Sequence, residues 1–313
     1  MNVRNSIGSP SRSRRGAHLT ALGQMFAVTV LWSSSFPIHK ALMNEGMPPL
    51  SLAAYRYFSA SVILMIAFGL RSSRRVHTVS SPQGSGPGQW AILLGIGLFM
   101  YTAQGVHITA LSLISASDSG LVSMTFMPVA VAILTSLLER SPPTRMQLGG
   151  LGIILAGIYI YFPHNMGGSR LAGVLLNVLS SSMWAVAVVL THIAVSKMRM
   201  TSLKLTTVSM MTGSSVLLLI ALMHDRLYVP APSQLLWLAY LAFVNTALGF
   251  ALYNHTMKSL GAFEIATFQD SMVIQIGILS AIFLGDTISA AMALGMVMVV
   301  FGVAVVQYFA PER

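Results

Sequence analysis

The sequence predicts an all-α membrane protein with ten transmembrane helices in two inverted five-helix repeats around a central cavity. Three observations lead there. The 313-residue chain is 55% hydrophobic and only 8% charged, against about 25% charged in ordinary soluble domains, and its mean hydropathy is +0.74. Apolar runs of roughly 20 residues, the length that crosses about 30 Å of hydrocarbon as a helix, recur along the whole chain. The basic residues alternate between connectors, and the second half echoes the first.

Residues 1–18, "MNVRNSIGSPSRSRRGAH", form a basic tail. The apolar run after it has no small-x-small cleavage site and is too long for a signal-peptide core, so it reads as an uncleaved first helix. Apolar runs separated by Gly, Pro, Ser and charged breaks place the first five helices near 19–43, 49–70, 89–111, 117–138 and 144–162. The second five fall near 171–195, 201–223, 233–256, 263–284 and 289–309.

The positive-inside rule tests this division. With a cytoplasmic N-terminus, 14 of the 18 Lys and Arg fall in the tail, the C-terminus and the cytoplasmic connectors. Only Arg170 and Arg226 fall in outer connectors, and Lys40 and Arg56 lie inside helices. A single missed helix would scramble everything after it. The net charge of +10 therefore reads as membrane topology, with both termini cytoplasmic, and not as a nucleic-acid surface.

The repeats are 19–162 and 171–309. "HITALSLISASDSG" (107–120) is echoed by "YNHTMKSLGAFEIA" (253–266), which sets Asp118 against Glu264. "LERSPPTRMQLGGLGIILAGIYIYF" (138–162) is echoed by "LGDTISAAMALGMVMVVFGVAVVQYF" (284–309), and Trp32 by Trp184. An odd number of helices per repeat turns the second copy upside down, and inverted repeats place a solute site near the midplane between halves.

Polar side chains inside the bilayer cost about 2.5–3.5 kcal/mol for Lys, Arg or Asp at a helix centre, so each points to a cavity or a partner. Helix 1 reads "WSSSFPIHKAL" (32–42). Ser33, Ser34, Ser35, Pro37, His39 and Lys40 make sense if this face lines a wet path, with Pro37 freeing backbone carbonyls toward it. The alternative is that the serines only allow close packing and Lys40 snorkels to the headgroups. Arg56 lies roughly 10 Å into helix 2 at 1.5 Å per residue. It can pair with a substrate carboxylate or with an internal acid such as Asp118.

Tyr101, Gln104 and His107 share a face of helix 3 and make a candidate binding wall. Helix 6 carries a polar stripe of Trp184 with Asn177, Ser180 and Ser181; helix 8 carries Asn245, Tyr253, Asn254 and His255. Asn254 and His255 read as interface anchors near a helix end. Asp270, between Gln269 and Gln275 with no basic neighbour in helix 9, is a candidate coupling residue that could cycle a proton. Its alternatives are a ligand-amine partner or a structural acid tied to Lys204, His192 or a helix terminus. Glu139 and Asp286 read as capping residues.

Together these motifs resemble the drug/metabolite transporter superfamily, EamA-like type. The resemblance rests on "LWSSSFPIHKAL" (31–42), "PLSLAAYRYFSA" (49–60), "QGVHITALSLISASDSGLVSMTFMPV" (104–129), "LLER" (137–140) with "QLGGLGIILAG" (147–157), and in the second half "LGD" (284–286) and "ALGMVMVVFGV" (293–303). It implies two EamA-like repeats and export of small metabolites such as amino acids, aromatic ones included. Helix 9 departs from the family pattern in reading "ATFQDSMVIQIGIL" (266–279), where a proline is usual; Asp286 stands where Glu is commoner.

The resulting expectation is a multi-pass secondary transporter of a bacterial inner membrane, working by alternating access on a small-molecule substrate, without nucleic acid and with proton coupling through Asp270. A passive channel or facilitator, or a carrier of sugar phosphates, nucleotide sugars or drug-like cations, is the rival. No enzyme and no cofactor are expected. Cysteine is absent, no HExxH or GxSxG occurs, and "GSGPGQ" (84–89) lacks the GK[ST] of a phosphate loop. The 21 methionines read as adaptable packing.

Overall fold

A computed structural model describes residues 12–73, 87–139, 144–162, 167–196, 202–225, 228–257 and 259–309. The rest of the N-terminal tail and most of the basic connector residues lie outside the described residues. Among the described residues the chain forms ten helical rods and no strand. The first repeat holds α1 (Arg12–Asn44), α2 (Pro49–Ser73), α3 (Pro87–Leu113), α4 (Ala116–Glu139) and α5 (Arg145–Tyr161). The second holds α6 (Gly168–Ser196) and α7 (Ser202–His224). Its α8 runs through Pro232–Ala239, a π-helical stretch Tyr240–Leu248 and Gly249–Thr256. In α9, Ala262–Asp270 and Met272–Leu284 meet at Ser271, and α10 is Ala290–Tyr308.

Nine of the rods are long and apolar enough to span a membrane. The shorter tenth, α5, is apolar beyond Arg145 and Gln147 of its first turn and closes the first repeat. Three local features differ from the sequence expectation. Helix α1 begins at Arg12, within the expected tail, because hydropathy marks the stretch that must sit in lipid and not where a helix stops. Helix α8 is π-helical at its centre. Helix α9 is interrupted without a proline: Ser271 adopts φ −62°, ψ −18°, and its Oγ turns back to donate to Phe268 O at 2.6 Å.

Helix packing carries the inverted symmetry. Helix α1 packs on α8 and α9, and its counterpart α6 packs on α3 and α4. Helix α2 meets α8 as α7 meets α3, while α2·α7, α4·α9 and α5·α10 are self-related pairs. Each repeat therefore lends its first helix to the other, so neither buries its polar interior alone. The α5·α10 contact is built on glycines seven apart on each helix. A Cβ at Gly157 would lie 3.0 Å from Gly295 O, and one at Gly302 would lie 2.9 Å from Gly150 O. Small residues let helices approach where lipid supplies no hydrophobic drive for association.

The outer surface is apolar, with Leu155, Leu236, Ile282, Phe283 and Phe301 exposed, as a hydrocarbon solvent demands. The interior instead holds Ser33, His39, Arg56, His107, Asn177, Asn245 and Asp270 in buried positions. Ten crossings return α10 to the face where α1 begins, here called the terminal face.

Candidate functional site

Two polar clusters stand out among the described interior residues, beside the smaller contacts of Gln275 with Thr29, Ser33 and Ser271 between α1 and α9. The first joins α1, α2 and α8 around Arg56, which is buried. Its Nη2 donates to Asn245 Oδ1 at 2.6 Å, its Nε to Thr246 Oγ1 at 3.1 Å, and its Nη1 to His39 Nε2 at 2.8 Å. A guanidinium can only donate, so His39 accepts through Nε2 and carries its ring proton on Nδ1. That Nδ1 is buried and has no partner among the described residues. No carboxylate among the described residues ion-pairs with Arg56. A cation thus sits in the low-dielectric interior beside three neutral acceptors and one idle donor.

The π segment of α8 makes this arrangement. Widening the helix brings Asn245 and Thr246 to successive partners: Thr246 Oγ1 donates to Leu241 O at 2.8 Å and receives Arg56. Asn245 also donates through Nδ2 to Leu31 O, and its own carbonyl accepts Trp32 Nε1 at 3.2 Å. Single π turns inside α-helices often mark functional sites. On α1, Ser34 and Ser35 donate to Leu31 O and Trp32 O one turn before Pro37, and Ser34 also meets Tyr240 Oη at 3.3 Å.

The second cluster joins α3, α4 and α6. His107 Nδ1 donates to Asn177 Oδ1 at 2.9 Å, Ser123 Oγ reaches the same oxygen at 2.9 Å, and Asn177 Nδ2 donates to Ser119 O and Oγ. The Phe36 ring stands edge-on to His107 at 5.2 Å. Tyr101 is buried edge-on against Tyr57 at 5.5 Å, while Gln104 and Trp184 are half-buried and enter neither cluster's bonds.

Lys40 is not a snorkelling lysine. Its Nζ donates to Leu111 O, Ser112 O and Ile114 O at 3.0, 3.1 and 2.9 Å, capping the end of α3 where carbonyls lack helical partners. Asp118 does not pair with Arg56. It takes a bidentate contact from Arg170, with Nε and Nη2 both at 3.0 Å, because Arg170 opens α6 at the same face where Asp118 opens α4. These two residues line a cavity of about 450 Å³ on that face, with Ile114, Ser117, Asp286 and Met292 among its walls. Asp286 lies in the connector beyond α9. Burial pushes its carboxyl above the ordinary range; hydrogen bonding from Ser117 and the Lys40 charge oppose this, and Asp118 adds to it.

Asp270 stands apart from both clusters. Its partner is Gln307 on α10, whose Nε2 donates to Oδ1 at 3.3 Å. The described residues contain no group of three His, Asp or Glu side chains disposed for a metal ion.

His39, Thr246, Asn177, Ser119 and Ser123 are cluster members that the sequence left outside the candidate set. His39 was visible in the helix 1 motif. Asn177 stood in the polar stripe of helix 6, while Thr246, Ser119 and Ser123 are ordinary interior residues until neighbouring helices are known.

Ten spans, exchanged first helices and a buried, polar, charged interior define an inverted-repeat membrane transporter. The chain belongs to the EamA-like transporter family, whose model matches residues 19–162 and 171–308. It is similar to the "Probable amino-acid metabolite efflux pump" of Salmonella typhimurium strain LT2, 23% identical over 292 residues, covering 88% of this chain and 90% of that protein. It is also similar to the "Uncharacterized transporter YyaM" of Bacillus subtilis strain 168, 25% identical over 302 residues, covering 91% and 93%. A solved crystal structure shares the fold at a TM-score of 0.63 and 18% identity, over 93% of this chain and 97% of that one.

Proposed function

We propose that this transporter exports small carboxylated metabolites, amino acids among them, by alternating access, and that Arg56 receives the carboxylate. The observation that carries this reading is the unneutralised Arg56 beside the idle His39 Nδ1. Removing a cation from water costs several kcal/mol even after relaxation, so a buried guanidinium without an anion calls for one to arrive. A carboxylate at Arg56 can take guanidinium donors, and the Nδ1–H of His39, on the side of the imidazole turned away from Arg56, is left to meet a second acceptor of the solute. The aromatic rings nearby, Phe36, Tyr57 and Tyr101, supply an apolar wall for the remainder of the solute. The efflux name of the Salmonella relative supports both the substrate class and the outward direction. The charge asymmetry of the connectors supports cytoplasmic termini, as in a bacterial inner membrane.

Counterflow in proteoliposomes tests the proposal. Saturable exchange of a labelled amino acid that is lost in Arg56→Gln supports it. Exchange that survives in Arg56→Gln removes the assigned role. A solute that leaks without counterflow favours the passive-facilitator reading.

A further inference from the structure

The polar contact between Asp270 and Gln307 is incomplete in a specific way. Gln307 Nε2 donates to Asp270 Oδ1, yet Asp270 Oδ2 and Gln307 Oε1 are both buried and both lack a hydrogen-bond partner. One amide and one carboxyl group thus share one bond and leave one acceptor each. A carboxylate has no donor to offer the amide oxygen. A carboxylic acid has one, and acid with amide closes a two-bond ring in which every polar atom is satisfied.

We propose that Asp270 and Gln307 are the proton-holding site of this transporter, with Asp270 Oδ2–H donating to Gln307 Oε1 in the conformation described here. On release the Oδ2–H bond breaks, the electron pair stays on the carboxylate, and the proton passes to water. The terminal face is the nearer one, roughly 12 Å from Asp270 along α9 at 1.5 Å per residue. The carboxylate then confronts Gln307 Oε1 with no donor between them, which loosens α9 from α10. Ser271, where α9 is interrupted, follows Asp270 directly, so this change falls at the one break in the rod.

Among the described residues no ion pair to Asp270 occurs. Against this stretch of α9, α10 presents Gln307, and α1 presents His18, whose Nε2 is 3.1 Å from Glu264. The described side chains of α4 carry no titratable group at this level, since Asp118 lies at its other end. On α8, Tyr253 is bonded to the neighbouring Gln269. The coupling of this proton to solute movement rests on the transport reading above; the holding of the proton does not.

Infrared spectroscopy of the purified full-length protein in lipid decides the holding step. A protonated-carboxyl C=O band at neutral pH, absent in Asp270→Asn and shifted in Gln307→Met, is the expected result. No such band, or one that both variants leave in place, overturns the proposal. Gln307→Met keeps the carboxyl group, so its band shift decides the matter even if Asp270→Asn fails to assemble. In proteoliposomes loaded with a pH-sensitive dye, wild-type solute exit should move protons and Asp270→Asn should move none. Equal proton movement in both overturns the coupling. If the wild type moves no carboxylated solute, the transport reading fails while the infrared result still stands.

Discussion

Arg56 Nη2 and Asn245 Oδ1 lie 2.6 Å apart across 189 residues of sequence, joining the second helix of one repeat to the π-helical centre of α8 in the other. The partner is an amide where a carboxylate would neutralise the charge. Asn245→Asp would supply that carboxylate internally. The variant should assemble with undiminished thermal stability and bind carboxylated solutes at least roughly thirtyfold more weakly, the equivalent of the 2 kcal/mol or more at stake in a buried charge contact. The concentration dependence of counterflow measures this, and an unchanged half-saturation would rule out Arg56 as the anion site.

Lys40 is expected to act on stability and not on solute affinity. Lys40→Met leaves the carbonyls of Leu111, Ser112 and Ile114 without their shared donor. An unmet buried acceptor costs about 1–3 kcal/mol. Thermal denaturation in detergent should show a lower midpoint for Lys40→Met and partial recovery in Lys40→Arg. A variant with normal stability and weakened solute binding would reverse this assignment.

The Asp118–Arg170 pair ties α4 to α6 on the face opposite the termini, where it is expected to restrict access to the cavity. Because the native chain contains no cysteine, Ser117→Cys provides a clean reporter in the cavity wall. Adding Arg170→Gln should speed labelling of that cysteine by a membrane-impermeant thiol reagent about three- to tenfold, as the loss of a partly exposed ion pair of up to ~1 kcal/mol allows. Equal labelling rates would show that the pair does not hold this face shut.

A Cβ at Gly302 would stand 2.7 Å from Ile154 Cγ1 and 2.9 Å from Gly150 O. Gly302→Val should therefore push α10 off α5 and destabilise the protein by about 1–3 kcal/mol. Gly149, on the open side of α5 with nothing within 4 Å of its added Cβ, is the control: Gly149→Ala should be tolerated. Size-exclusion profiles after graded heating distinguish the two.

Burial raises the Asp286 carboxyl above its ordinary value. Its folded state then holds more protons than the unfolded chain, so stability should fall as pH rises from about 3.9, the unperturbed Asp value, through the raised one. Asp286→Asn should flatten that part of the stability profile. Denaturation midpoints measured across the acidic range check the sign, and identical slopes in the two proteins would refute it.

Much of the fold was legible in the sequence. Hydropathy and alternating basic residues sufficed for ten spans, and the helix ends fell within a few residues of their places except at Arg12. That exception is instructive, since the helix runs on through Arg12 to Ala17, a polar and basic stretch that hydropathy does not mark. The echo of Asp118 by Glu264 marked the repeat, yet the two have parted in role: one is buried against Arg170, the other bonded to His18 near the terminal face. The π turn at Asn245 had no signature, because Tyr240–Leu248 carries neither Pro nor Gly. Its widening is set by what Arg56 and Trp32 ask of it from other helices.

The sequence by itself determined that this chain lives in a membrane, how many times it crosses and that its halves are inverted copies. These follow from properties local to each segment, namely apolar length and the charge beside it. Only the tertiary structure decided what each interior polar group does: Arg56 left without an anion, Lys40 spent on a helix end, Asp118 given to Arg170, and Asp270 set against Gln307. In hydrocarbon a polar group is defined by the partner that satisfies it. Those partners sit on helices that become neighbours only when the two repeats exchange their first helices and pack.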